Sequence, residues 1–379
     1  MKKIIFAVLA VVGLVSCGPQ YEKPIEGSQK GFALSFFKHT VASVEADENV
    51  VVSPYSAGVA LSMVAEGAEG QTRVEFDNAL NGCLFKAVDL GSNDSVTVKS
   101  ANSVWVTDDF SLRNRYVNML DKDFDAMVTT LDFQDPATVR AINNWCSENT
   151  EGKITEIVER LSPGMVMLLI NALYFNAPWA EPFLEENTRS EVFHSLKGDV
   201  KVPMMTKTSY VNYAEYQGCQ MVELPYEGER YSMYVVLPSA GLDVDKMVSY
   251  VNETMYDQAM NMMNPVKVRL TMPKLKLETS LILNKTLQDM GIRTAFTTAA
   301  NFKGIAEMGP LVLDQVKQKC YIDVSEKGTE AAAVTSIGVR MTAVRPESIV
   351  TMNVNRPYLF FIADRTNGNI MFAGRIVNL

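Results

Sequence analysis

Hydrophobic and polar positions change period along this chain, and each change predicts an element. "FALSFFKHTVA" has the form of an amphipathic helix, with His39 inside it. "NVVVSPYSAGVALSMVAEGAEGQT" predicts a short strand, Val50 to Val52, feeding a second helix. Ser53 suits the N-cap, Pro54 the first helical position and Gly67 the stop, while Val59 and Met63 mark an inward face. "MVMLLINALYFNAPW" is a continuous apolar run of strand length, which predicts a strand buried on both faces. Its one central polar residue, Asn171, needs partners there or costs about 1–3 kcal/mol. "CQMVELPYEGERYSMYVVLP" predicts a hairpin turning at Glu227-Gly228, and "YLFFIADRTNGNIMFAGRIV" another with Asn367-Gly368 at its tip. Helical patterns fill the first half and strands the second, which predicts an α+β class with layers around a large sheet.

The stretch from Ser325 to Pro357 fits none of these patterns. It is built of small and β-branched residues, with almost no large apolar side chain before Ile349. Read with the two-residue period of a strand, one face carries Thr329, Ala331, Ala333, Thr335, Ile337 and Val339. The other carries Glu330, Ala332, Val334, Ser336, Gly338 and Arg340. The first face is uncharged and the second holds both charges, so the segment is a latent amphipathic strand able to join a sheet.

A hydrophobic fraction of 47% over 379 residues is enough for a large core, and no internal repeat or low-complexity tract divides it. The net charge of −9 argues against a nucleic-acid partner. "MKKIIFAVLAVVGLVSC" has two lysines, an apolar run too short to span a bilayer, and a cysteine. Leu14 to Cys17 resembles the bacterial lipobox. That implies a signal peptide over 1–17, a lipid on Cys17 as membrane anchor, and a polar tether over 18–26. The expected location is the cell envelope, outer-membrane-anchored and facing periplasm or cell surface, or the extracellular space. Cys83, Cys146, Cys219 and Cys320 fit no zinc spacing and are read as scattered buried thiols. His39 and His194 are the only histidines, and neither lies in a nucleophile context. With no nucleophile elbow, zinc motif or phosphate-binding loop either, the chain is not expected to be an enzyme or to carry a metal or cofactor.

From Gly27 to Leu379 these pieces, in this order, resemble a serpin. The resemblance rests on "NVVVSPYS", on "INALYFNAPW" ending at Trp179, and on "MGIRTAF", similar to the segment after a long family helix. It rests further on "RPYLFFIADRTNGNIMFAGRIVNL" and above all on "EKGTEAAAVT", which matches the hinge of inhibitory serpins. It implies a serpin domain over 27–379 with three β-sheets, about eight or nine helices and an exposed reactive-centre loop over about 326–352. The family's hinge falls on Glu326, Gly328, Thr329, Glu330, Ala331, Ala332 and Ala333. Its buried polar cluster falls on Ser56, Asn171 and Gln318, next to Ser53, and its upper-sheet ion pair on Lys274 and Glu326 near Trp179. Most studied members carry His where this chain has Gln318. Gln both donates and accepts, so the network survives without an imidazole's pH sensitivity.

The family's spacing from Glu326 points to Thr342, with cleavage before Ala343; shorter registers give Met341 or Arg340. Thr342 or Met341 would suit elastase-, chymotrypsin- or subtilisin-like pockets, and Arg340 or Arg345 trypsin-like ones. The resemblance implies a metastable, monomeric lipoprotein that irreversibly traps serine, and some cysteine, proteases by inserting its cut loop into the main sheet. The competing expectation is a non-inhibitory serpin that serves as a binding or storage module. A third is a nutrient-binding lipoprotein or hydrolase.

Overall fold

Ser28 opens the first helix by accepting a hydrogen bond on its side chain from Gly31 N, so α1 runs Gln29–Ala42 with Phe32, Phe36 and Phe37 buried. The structure is a computed structural model that describes residues 27–87, 90–92, 96–307, 311–329 and 348–379. Next come β1 (Val50–Val52) and α2 (Pro54–Glu66), with Ser53 at the N-cap, Pro54 first and Gly67 at the C-cap, as the pattern predicts. All of α2 from Pro54 to Ala65 is buried, so it is the central helix of the core. There follow α3 (Gly70–Ala79), β2 (Thr97–Thr107), α4 (Asn114–Phe124), β3 (Met127–Leu131), α5 (Pro136–Asn149) and β4 (Met167–Pro178). Strands β5 (Arg189–Ser195), β6 (Gly198–Tyr216), β7 (Cys219–Pro225) and β8 (Tyr231–Pro238) precede α6 (Val244–Tyr250) and α7 (Glu253–Asn261). The chain continues through β9 (Asn264–Pro273), β10 (Leu275–Ile282), α8 (Asn284–Asp289) and β11 (Gln315–Ser325). It closes with β12 (Gly328–Thr329), β13 (Val350–Asn353), β14 (Tyr358–Asp364) and β15 (Ile370–Ile376).

Eight α-helices lie among the described residues, and the strands form two hydrogen-bonded ladders. The smaller has the order β10-β11-β12-β4-β2-β3. The larger runs β1-β15-β14-β8-β7-β6-β9-β13, with β5 also on β6. The long strand β6 makes this one ladder: its start pairs with β5, its middle with β9 and its last residues with β7. The third sheet of the family fold is the β5–β6–β9–β13 part, joined to the rest through that strand.

The continuous apolar run of β4 is explained by its two neighbours. Met167, Leu169, Leu173 and Phe175 point into the main core with α2. Leu168, Ile170 and Ala172 point into a second cluster with Ile142 and Cys146 of α5. Both hairpins form where expected, with Gly228 at φ 76° and Gly368 at φ 75°, a region that favours glycine. Two expectations need correction. Helices and strands interleave: β2 to β4 fall in the first half and α6 to α8 in the second. The helix preceding "MGIRTAF" is six residues rather than long, because β10 runs to Ile282 just before it and the chain turns at Met290 and Gly291 (φ 104°) just after it. The four body cysteines are free thiols, with Cys83 half-buried and the others buried.

Candidate functional site

The seam between β4 and β11 is the feature on which the site is built. Low on the sheet the two strands pair directly and in parallel, Leu168–Leu173 against Gln315–Cys320. Higher up they part, and Gly328 and Thr329 lie between them as β12. Thr329 pairs with Ala177 of β4 and with Val324 of β11, antiparallel to both. Thr329 is 1% exposed and its hydroxyl meets the Tyr226 hydroxyl at 2.7 Å, so it faces the core as the parity of the sequence predicts. Gly328 has φ 151°, and a Cβ there would stand 2.2 Å from the Ala177 carbonyl oxygen. Only glycine admits the chain this close to β4.

The turn before β12 is held by the segment that follows β4. Trp179 N donates to Lys327 O at 2.9 Å, and its indole Nε1 donates to Ser325 O at 2.9 Å. The indole stacks on Tyr226, ring centres 4.5 Å apart. Phe183 N donates to Glu326 O at 2.8 Å. Lys207 secures that segment in turn, donating to Glu181 O at 2.8 Å with its ammonium over the Phe183 ring. The Glu326 carboxylate receives Lys274 Nζ at 2.9 Å and the Thr188 hydroxyl at 2.7 Å. Its side chain is 9% exposed, so this pair is better shielded than a solvated surface pair worth about 0–1 kcal/mol.

Burial pushes the Glu326 carboxyl up, but the bonds from Lys274 and Thr188 outweigh it and hold it below its ordinary 4.5. A carboxylate held low in the fold contributes stability that is present above its unfolded pKa and lost as pH falls through the folded one. Acidification below pH 4.5 is therefore expected to loosen this clasp. Protection of the Lys327–Thr329 amides, relative to their intrinsic exchange rate at each pH, should fall in the wild type and stay flat in Glu326→Gln. An equal acid response in both proteins would contradict the assignment.

Lower on the seam lies a buried polar cluster. Asn171 and Gln318 are cross-strand partners on β4 and β11, and Gln318 Nε2 donates to Asn171 Oδ1 across the gap. Gln318 also accepts from Ser53 N at 2.9 Å and donates to Ser53 O at 3.0 Å. Asn171 Nδ2 donates to the Ser56 hydroxyl and to Asn102 Oδ1 at 2.6 Å. Ser56 meets Ser100 at 3.1 Å, and Ser100 accepts from Asn102 Nδ2 at 3.2 Å. Gln318 thus does as donor and acceptor what the sequence expects of it. The Gln318–Asn171 bond spans the seam like a latch: any strand entering between β4 and β11 at this level would have to part it. Asn171→Leu keeps the number and branching of heavy atoms but unpairs its partners, with an expected cost of about 1–3 kcal/mol. On native gels after mild heating the variant should turn latent or polymerise below the wild-type temperature. A variant that stays monomeric and inhibitory at wild-type temperatures would show that this cluster is not the latch.

The structure brings Ser53, Ser56, Asn171 and Gln318 together in one network and Trp179, Lys274, Glu326, Gly328 and Thr329 in another. Glu330, Ala331, Ala332, Ala333, Arg340, Met341, Thr342, Ala343 and Cys17 lie outside the described residues. Sequence reasoning missed Ser100 and Asn102, although they interrupt an apolar parity with Val98 and Val104. It also missed Thr188 and Tyr226, for which no local pattern exists. His39 is in α1, with burial pushing its pKa down. His194 pairs with Asp199 at 2.8 Å on an exposed hairpin.

The serpin (serine protease inhibitor) family model matches residues 27–379. An uncharacterised serpin-like protein of Thermococcus kodakarensis is 35% identical, over 94% of this chain and 86% of that one. A serine protease inhibitor of Cyanea capillata is 33% identical, over 91% of this chain and 96% of that one. The solved native state of the thermophilic serpin tengpin matches with a TM-score of 0.85 at 28% identity, covering 93% of each chain. The chain belongs to the serpin family of serine protease inhibitors.

Proposed function

We propose that this serpin is an irreversible suicide-substrate inhibitor of serine endopeptidases, held at the cell envelope through a lipid on Cys17. The observation that carries the reading is β12, paired antiparallel to β4 and β11 at once. This is the start of a strand whose remainder is supplied by the loop. Once the loop is inserted, the same register would set Ala331 between Phe175 and Ile322, and Ala333 between Leu173 and Cys320. Thr335 then falls between Asn171 and Gln318, so its hydroxyl arrives where the latch bond is broken.

The protease serine attacks the scissile carbonyl between about Arg340 and Ala343. The peptide bond breaks, the new amine leaves with the C-terminal side, and an acyl-enzyme remains on the N-terminal side. The freed segment zips down the seam, from the seed at Thr329 past the latch. The acylated protease is carried with it and distorted before water can deacylate it. Small side chains at Ala331 and Ala333 suit the first steps, where the strands part with least steric cost. The same acyl chemistry extends the trap to cysteine endopeptidases.

The test is incubation with pancreatic elastase, chymotrypsin, subtilisin and trypsin, followed by boiling in SDS. A surviving covalent complex with at least one protease is expected. Cleavage by all susceptible proteases without any complex would favour a binding or storage role instead.

A further inference from the structure

The outward face of the β6–β9–β13 sheet is basic in an acidic protein. Its registers set Thr208 beside Arg269 beside Thr351, and Tyr210 beside Lys267. Ile349, one residue before β13, falls in step with Lys267. Tyr210 is 58% and Ile349 51% exposed, two large apolar side chains in one row. The Lys267 ammonium lies 5.9 Å from the centre of the Tyr210 ring. Met204–Tyr213, Asn264–Pro273 and Val350–Asn353 contain no Asp or Glu, in a chain where acidic residues outnumber basic ones 44 to 35. Three adjacent strands thus present Lys267 and Arg269, with an aromatic and an aliphatic side chain beside them.

Chain connectivity says what would meet this face. The strand β13 is where the reactive loop re-enters the fold, on the side that follows the scissile bond. From Ala343 to Ser348 the chain spans roughly 17 Å at full extension. A protease domain is roughly 40 Å across. A protease engaged on the loop therefore sits within contact range of β13 and its neighbours.

We infer that this face docks the target protease itself, through an acidic rim beside the half of its cleft that holds the residues after the cut bond. The inference rests on the inhibitory reading above. Lys267 and Arg269 steer the encounter, and Tyr210 and Ile349 supply apolar contact once the rim has landed. The face thus selects among proteases that could all cut the same bond.

The experiment measures association rate constants for every protease in the panel that the wild type traps, at low and high salt. The proteins are wild type, the double variant Lys267→Glu/Arg269→Glu, and Tyr210→Ala. At low salt the double variant should associate about tenfold more slowly with at least one trapped protease, and the gap should close at high salt. The yield of SDS-resistant complex per cleavage should not change, because insertion does not involve these side chains. Tyr210→Ala should slow association roughly threefold without altering the salt dependence. Unchanged low-salt rates with every trapped protease would overturn the inference while leaving the inhibitory reading intact. Retention on heparin that the double variant loses, with protease rates unchanged, would make the face a polyanion site and overturn it too. A wild type that traps no protease would overturn both.

Discussion

Replacing Thr329 by Arg is expected to turn the inhibitor into a substrate. Thr329 is the last residue of the seed strand, 1% exposed and bonded to Tyr226. An Arg there would have to bury a charge beside Tyr226, whose ring packs against Phe175 and Trp179. Trapping is a race between insertion and deacylation, and each 1.4 kcal/mol added to the insertion barrier slows it tenfold. The uncut variant would hold its hinge out of the seam, so insertion would have to begin with a burial that the wild type has already completed. A penalty of about 3 kcal/mol on that step slows insertion on the order of a hundredfold and lets the protease deacylate. Gel analysis should show cleaved Thr329→Arg and active protease, with no SDS-resistant complex. Undiminished complex with every protease the wild type traps would contradict the insertion mechanism.

The second large effect is on stability. On the proposed reading the loop is a strand withheld from the main sheet, so cutting it should make the protein more stable. The inserted segment would add about ten ladder hydrogen bonds at about 1 kcal/mol each, besides burying its uncharged face. For a chain of this size that corresponds to a rise in Tm on the order of 10–20 °C. An ordinary exposed linker gains nothing from being nicked. Calorimetry before and after a limited protease cut should show the rise, and an unchanged midpoint would contradict stored strain.

How far this could be read from the sequence follows from the range of the interactions. The cap of α2 at Ser53-Pro54, the doubly buried strand around Asn171 and the two hairpins are local patterns, and each appears where the pattern puts it. The parity that sends Thr329 inward is equally local. The clasp is not. Glu326 bonds Lys274 and Thr188, which lie 52 and 138 residues away, and nothing in the spacing of Thr188 announces it. The latch was half visible. Asn171 stands out as a polar residue in an apolar run, whereas Ser100 and Asn102 sit in a strand whose mixed composition hides the polar face. The joining of two sheets through β6 depends on one strand pairing with three others along its length, which no local period encodes. That β12 already occupies the seam was beyond the sequence altogether. Parity says which face Thr329 turns, and pairing alone says between which strands.

The most direct test of the account is the structure of the protein after a single cut in its reactive loop. The expected result is a new strand between β4 and β11, with Thr335 level with Asn171 and Gln318 and the Gln318–Asn171 bond gone. A cut loop lying outside the sheet, with Leu168–Leu173 still paired to Gln315–Cys320, would contradict it.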